Sequence, residues 1–305
     1  MRKYLSLSIF LFALALMPSC DSNTANQKSE KLFITATTGM IADVVQNIVQ
    51  DRAEVQALMR AGTDPHLYKA TRNDLDLLRK ADVVFYNGLH LEGKMSEVLE
   101  KLGQQKTVLP VADAISKNQL RTLETAAPDP HLWFDVSLWQ KAARYIGEKL
   151  AEKDAKNADF YLKNTAIYTE KLAQLHTSTQ KQIAQIAQDR RVLITAHDAF
   201  GYFGRAYQIE VKGLQGISTM SEYGLKDVAD LTDFIVKRKI KAVFVETSIP
   251  QKSLEAVVAG CKQKGHSVKI GGTLFSDAMG EAGTSEGTYI GMVQANVKTI
   301  VEALR

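Results

Sequence analysis

From Ala158 to Gln188 the chain runs for 31 residues without a glycine or a proline, so nothing in it stops a helix. At 1.5 Å per residue that helix is about 46 Å long, enough to run the length of two packed lobes. Leu162, Ala166, Thr169, Leu172, Leu175, Ile183 and Ile186 mark a stripe at helical spacing along it. A coiled-coil partner could use such a stripe. In an α/β chain of 305 residues, a single stripe fits better a helix laid across two lobes.

Both flanks of this segment carry the same grammar of short apolar runs alternating with amphipathic stretches, the pattern of parallel α/β architecture. In the first half, strands are expected at 31–38, 54–59, 82–86 and 107–110, with helices at 39–50 and 73–80. In the second half they are expected at 191–195, 210–213, 241–245 and 267–270, with helices between them and a terminal helix over 286–305. A further helical stretch covers 137–154. The predicted organisation is an N-terminal lobe over 31–157, a linking helix over 158–188 and a C-terminal lobe over 189–305.

Residues 1–19 stand apart. Arg2 and Lys3 precede an apolar run from Leu5 to Met17, too short to remain as a bilayer-spanning helix, so the segment reads as an export signal. Met17-Pro18-Ser19-Cys20 resembles a bacterial lipobox, with cleavage before Cys20 and lipid on its thiol; ordinary signal cleavage beside an incidental cysteine is the alternative. Residues 20–30 hold almost nothing apolar and read as a flexible tether.

Several classes of function drop out. The formal charge is +4, or +2 once Arg2 and Lys3 are removed, with no basic stripe carrying interleaved aromatics, so no nucleic-acid partner is expected. Two cysteines, Cys20 and Cys261, cannot build a thiolate zinc site. No glycine-rich phosphate-cradling loop is present.

Six histidines remain. His176 lies on the long helix, His266 in a turn and His90 in a loop, and each reads as a structural residue. His66, His131 and His197 share another context: each falls beyond the end of a strand or in a proline-stiffened loop, where open α/β sheets collect ligands. His66 and His131 sit in identical tetrapeptides, Asp64-Pro65-His66-Leu67 and Asp129-Pro130-His131-Leu132. Asp64 and Asp129 read as turn residues only. Three imidazoles so placed suit a metal site. Asp277, in the loop beyond the last strand, is the candidate fourth ligand. Glu246, at a strand end, is either a supporting carboxylate for that site or a glutamate facing water.

These stretches resemble the zinc/manganese solute-binding lipoproteins of ABC transporters, the TroA/ZnuA/PsaA-like group of cluster A-I and its TroA-like branch most of all. The resemblance is carried by GMIADVVQNI, GTDPHLYKATRNDLDLLRKADVVFYNGLHLEG, DPHLWFDVSLW, TAHDAFGYFGRAY, VKGLQGIST and FSDAMGEAGTSEGTYIGM, and it covers essentially the whole chain after the signal. It implies two α/β lobes joined by a long rigid backbone helix, with the metal in the cleft between them. It implies His66 and His131 as ligands from the first lobe, and His197 and Asp277 as ligands from the second. It further implies a monomer, anchored by lipid on Cys20 at the outer face of the cytoplasmic membrane or periplasmic, that delivers Zn2+ or Mn2+ to a membrane permease. Manganese-specialised members tend to have glutamate where this chain has His197. Zinc-dedicated members often have a long His-rich loop, whereas residues 107–128 here are short and hold no histidine. Either ion is therefore expected.

Three histidines and an aspartate could also hold a catalytic zinc in a hydrolase. Such sites keep an open position and a general base, and no HExxH motif is present. A metal-dependent surface adhesin is a third reading compatible with a lipoprotein.

Overall fold

The two halves fold to one sheet order. The computed structural model describes residues 31–122 and 128–305; the expected signal segment, the tether and Cys20 lie outside the described residues. Strands β1 (Leu32–Ala36), β2 (Ala53–Ala57), β3 (Val83–Tyr86) and β4 (Thr107–Pro110) form a parallel sheet in the order β2-β1-β3-β4. Strands β5 (Val192–His197), β6 (Glu210–Gln215), β7 (Ala242–Glu246) and β8 (Lys269–Leu274) repeat it as β6-β5-β7-β8, again parallel. The chain order therefore reverses between β1 and β3, and again between β5 and β7. Those switch points are where strand carboxyl ends leave a crevice for a ligand.

Helices α1 (Gly39–Val49), α2 (Arg72–Lys80) and α3 (Ser96–Gly103) belong to the first lobe. Helix α1 buries Met40, Ile41, Val44, Val45, Ile48 and Val49, one face at helical spacing. Helix α2 starts at a capping box, in which Thr71 Oγ1 accepts from Asp74 N and the Asp74 carboxylate accepts from Thr71 N. The second lobe carries α6 (Gly201–Tyr207), α7 (Leu225–Arg238) and α8 (Lys252–Gln263). Helices α4 (Val136–Lys153), α5 (Ala158–Ile183) and α9 (Tyr289–Leu304) pack together and run between the sheets. Among the described residues no helix is long and apolar enough to cross a membrane.

Helix α5 departs from its sequence-based outline in two ways. It stops at Ile183 rather than Gln188. The Arg191 guanidinium turns back and donates to the carbonyls of Ile186 and Ala184, at 2.9 and 3.0 Å, in the turn that follows. Those bonds satisfy carbonyls at the helix end and reward termination. The expected stripe holds from Thr169 to Ile186, where Thr169, Leu172, Leu175, Ile183 and Ile186 are buried, but not before it: Leu162 is 45% exposed and Ala166 is exposed, while Tyr161, Asn164, Thr165 and Tyr168 turn inward. Polar residues are tolerated there because Asn164 donates to Ile48 O and Thr165 to Tyr161 O.

One apolar core runs from Ile34 and Val83 of the first sheet, through the central helices, to Leu193 and Phe244 of the second. Two smaller clusters, around Leu78 and around Leu231, seal the outer faces of the sheets. Helices α4 and α5 cross closely at Gly147, where any Cβ would overlap the Thr165 side chain. Gly147→Ala is therefore expected to lower stability by about 1–3 kcal/mol through overpacking. Adding Thr165→Ala should recover part of the loss in urea unfolding. Additive effects of the two changes would place the cost elsewhere.

Candidate metal centre

Each of the four residues singled out beyond the strand ends reaches the crevice between the sheets, and all four are buried. His197 is the last residue of β5 itself, whereas the sequence pattern ends that strand at 195. Asp277 lies three residues beyond β8. Its loop is held by Asn296 of α9, which accepts from Phe275 N and donates to Phe275 O at 2.9 and 2.7 Å. Trp133, two residues past His131, donates from Nε1 to Ser276 O at 3.0 Å, so the loops of His131 and Asp277 are tied directly.

The two Asp-Pro-His segments make the same turn. Asp64 accepts from His66 N at 2.9 Å, and Asp129 accepts from His131 N at 3.0 Å, each a side chain closing its own backbone turn. Neither aspartate stops there, which corrects the reading of both as turn residues only. Asp64 Oδ2 accepts from the Thr219 hydroxyl of the other lobe at 2.6 Å. Asp129 Oδ1 also meets His131 Nδ1 at 2.7 Å, which points His131 Nε2 at the centre. The signal for this was the repeated aspartate itself, but its second contact depends on ring orientation, which spacing does not reveal.

At the centre, His66 Nε2 lies 3.4 Å from His131 Nε2 and 3.7 Å from Asp277 Oδ2. Asp277 Oδ1 lies 3.4 Å from His131 Nε2, and Oδ2 lies 3.2 Å from His197 Nε2. One donor atom from each residue falls within 4.8 Å of all the others. Bonds of about 2.0–2.2 Å to a tetrahedral metal would set donor atoms roughly 3.3–3.6 Å apart, so the spacing fits a single ion.

Glu246, at the end of β7, faces His197 rather than water. Its Oε2 lies 2.6 Å from His197 Nδ1, and its Oε1 accepts from His197 N at 3.0 Å. The short His197 contacts are not aligned for N–H donation. Among the described residues, half of the ten buried side-chain polar atoms with no hydrogen-bond partner belong here: two each on His197 and Asp277, and Glu246 Oε2. Buried orphans of that kind are costly. A cation that accepts lone pairs from several of them would offset the cost.

The electrostatics divide the histidines. Burial pushes His66 down to about 4, with Asp277 offsetting only part of the effect. Burial would also lower His197, but the carboxylates of Glu246 and Asp277 outweigh it and hold that imidazole well above the ordinary histidine range. Burial alone would raise Asp277; the three imidazoles reverse this and hold its carboxyl far below the usual range. The two carboxylates thus favour the protonated form of His197, while burial favours the neutral form of His66.

The first lobe also holds a buried glutamate. Glu92 accepts from Thr37 Oγ1, beyond β1, and from Asn87 N, beyond β3, at 2.7 and 2.6 Å. Asn87 in turn donates to Pro130 O at 2.9 Å, bracing the His131 turn. The remaining histidines stay outside the centre. His90 is exposed on a left-handed turn, His176 meets the Tyr207 hydroxyl and His266 meets Ile240 O.

Comparison with known proteins shows the family and the fold. The family model "ZnuA: Zinc-uptake complex component A periplasmic" matches residues 34–303. The manganese-binding lipoprotein MntA of Bacillus subtilis is 50% identical over 297 residues, 97% of either chain. The zinc-binding protein TroA of Treponema pallidum is 48% identical over 274 residues, 90% of this chain and 89% of that one. The solved structure of the periplasmic TroA superposes with a TM-score of 0.88, covering 90% of this chain and 99% of the other.

Proposed function

The chain belongs to the zinc-uptake complex component A family of periplasmic proteins, and on that premise we propose that it captures Zn2+ or Mn2+ for an ABC importer. His66 and His131 from the first lobe, with His197 and Asp277 from the second, would hold the ion. The observation that carries this reading is the buried convergence of their donor atoms at single-ion spacing. Glu246 and Asp129 support it from behind by orienting His197 and His131. The ion is cargo: it is captured outside the cytoplasm and handed to a membrane permease. Lipid on Cys20 would keep the protein at the outer face of the cytoplasmic membrane.

Capture rather than catalysis suits four protein donors that leave no open position. Two relatives with similar identity are named for different ions, one for manganese and one for zinc. A site of three imidazoles and a carboxylate accommodates both, with intrinsic affinity favouring zinc.

The test is elemental analysis of protein purified without added metal, followed by Zn2+/Mn2+ competition titration. About one ion per chain is expected, with zinc held more tightly. A protein that binds neither ion at micromolar concentration, or whose metal-dependent hydrolytic activity disappears in His197→Ala, would overturn the reading. Exchanging an imidazole for a harder carboxylate in His197→Glu should shift the competition ratio toward manganese by about tenfold. An unaltered ratio would mean that selectivity is set elsewhere.

A further inference from the structure

We propose that Arg121 is a cross-lobe clamp, a positioning residue that braces the supports of two of the four metal-holding side chains and so slows release of the ion. The proposal rests on the reading of His66, His131, His197 and Asp277 as the metal site. Arg121 Nη1 donates to Asp129 Oδ2 at 2.6 Å, and Nη2 donates to Asp198 Oδ2 at 3.0 Å. Asp129 is fully buried, and its other oxygen holds His131 Nδ1. Asp198 follows His197 in the chain, and its backbone N–H donates to Gln215 O at the end of β6. One planar guanidinium therefore joins the support of a first-lobe histidine to the backbone that carries a second-lobe histidine.

Two further contacts show that the chain is shaped around this bridge. The Tyr202 hydroxyl of α6 accepts from Arg121 N at 2.9 Å and donates to Asp129 O at 3.0 Å, so a second side chain links the same two turns. Gly201, the first residue of α6, lies directly against the guanidinium, and a Cβ there would overlap Arg121 Nη1, Cζ and Nε. The absent side chain is the room in which the clamp sits.

An exposed ion pair would contribute little. This one differs because Asp129 is out of water, so without Arg121 its Oδ2 would be left charged and unpaired. Asp129 would then be free to turn, and with it the ring that faces the ion. Separation of the lobes must break the Arg121–Asp198 bond, and that requirement falls on release more than on capture. Lysine cannot replace arginine fully, because a single ammonium does not offer two donors in a fixed fork.

The experiment is stopped-flow transfer of Zn2+ from the loaded full chain to excess EDTA, alongside capture kinetics and metal stoichiometry. Arg121→Gln should bind one ion and release it about tenfold faster or more, with the effect on release exceeding that on capture. Arg121→Lys should recover part of the loss. Gly201→Ala keeps every charge but displaces the guanidinium, and it should release as fast as Arg121→Gln. Asp198→Asn cuts only the second-lobe bond and should fall between. A role in folding alone would lower stoichiometry without accelerating release from the loaded fraction, and that result would overturn the clamp. So would wild-type release rates in Gly201→Ala and Asp198→Asn, which decide the matter even if Arg121→Gln fails to fold. Wild-type protein that takes up no Zn2+ would instead overturn the metal site itself.

Discussion

Asp277→Ala should weaken Zn2+ or Mn2+ binding by about a hundredfold or more in competition titration. The carboxylate is the only anionic member of the four, it is out of water, and both of its oxygens face the imidazoles. Removing one partner of a buried charge pair costs about 3–5 kcal/mol, and each 1.4 kcal/mol is about tenfold in affinity. The same replacement leaves His197 with one counter-charge instead of two, so its proton should also be lost more easily in the metal-free protein. Glu281→Gln is the matched control. Glu281 is exposed in the same loop and borders the cavity of about 550 Å3 beside Asp277, but it does not face the four donors. Its affinity should stay within twofold of wild type. Equal losses in the two variants would mean that the loop's net charge, and not a ligand at Asp277, governs uptake.

Affinity should climb steadily with pH through neutrality, by close to tenfold per unit. A metal ion needs neutral imidazoles. His66, held down to about 4, is already neutral and imposes no cost above pH 6. His197 is held up by Glu246 and Asp277, so at pH 7 its proton must leave for the ion to enter. One proton should therefore appear in solution per ion bound, readable in a weakly buffered titration. The stability linkage runs with the same sign. The folded pKa of His197 lies above its unfolded value, so the stability it lends the metal-free protein is complete below about pH 6.5. That contribution fades as pH rises toward the raised folded value. The gap in melting temperature between loaded and metal-free protein should accordingly widen from pH 6.5 upward. In Glu246→Gln both the proton release and the slope should shrink. A pH-independent affinity between 6.5 and 8 would show that the pocket is neutral before metal arrives.

Much of this architecture was legible in the chain. Short apolar runs announced the central strands β1, β3, β5 and β7, which are buried on both faces. The edge strands β2, β6 and β8 are largely exposed and mixed in sequence, and β8 runs to Leu274 instead of ending at 270. The positions of His66, His131, His197 and Asp277 beyond strand ends gave reason to expect them together. Their supports were less readable. Asp129 and Asp64 resembled ordinary turn aspartates, and half of what each does is turn chemistry. The other half depends on partners 155 residues away for Asp64, and on a ring's orientation for Asp129. No sequence feature marks Arg121, whose two carboxylate partners are brought up by different turns. Helix α5 misled for a related reason. Its inward face was assigned by apolarity, whereas Asn164 and Thr165 go inside because backbone carbonyls are waiting for them.

The core that passes through the central helices from one sheet to the other has a consequence for the molecule's history. Ile34 and Leu193 belong to one continuous apolar body, so neither sheet owns a complete interior. The matching strand orders suggest two interchangeable modules, but a half-molecule cut near residue 157 would expose the faces of α1 and α4 that α5 and α9 cover. Exchange of single lobes between relatives should therefore fail unless the interior residues of α4, α5 and α9 travel with them. In such a protein the unit that can be recombined is the entire two-lobed body, and new ion preferences must arise by point substitution around the crevice.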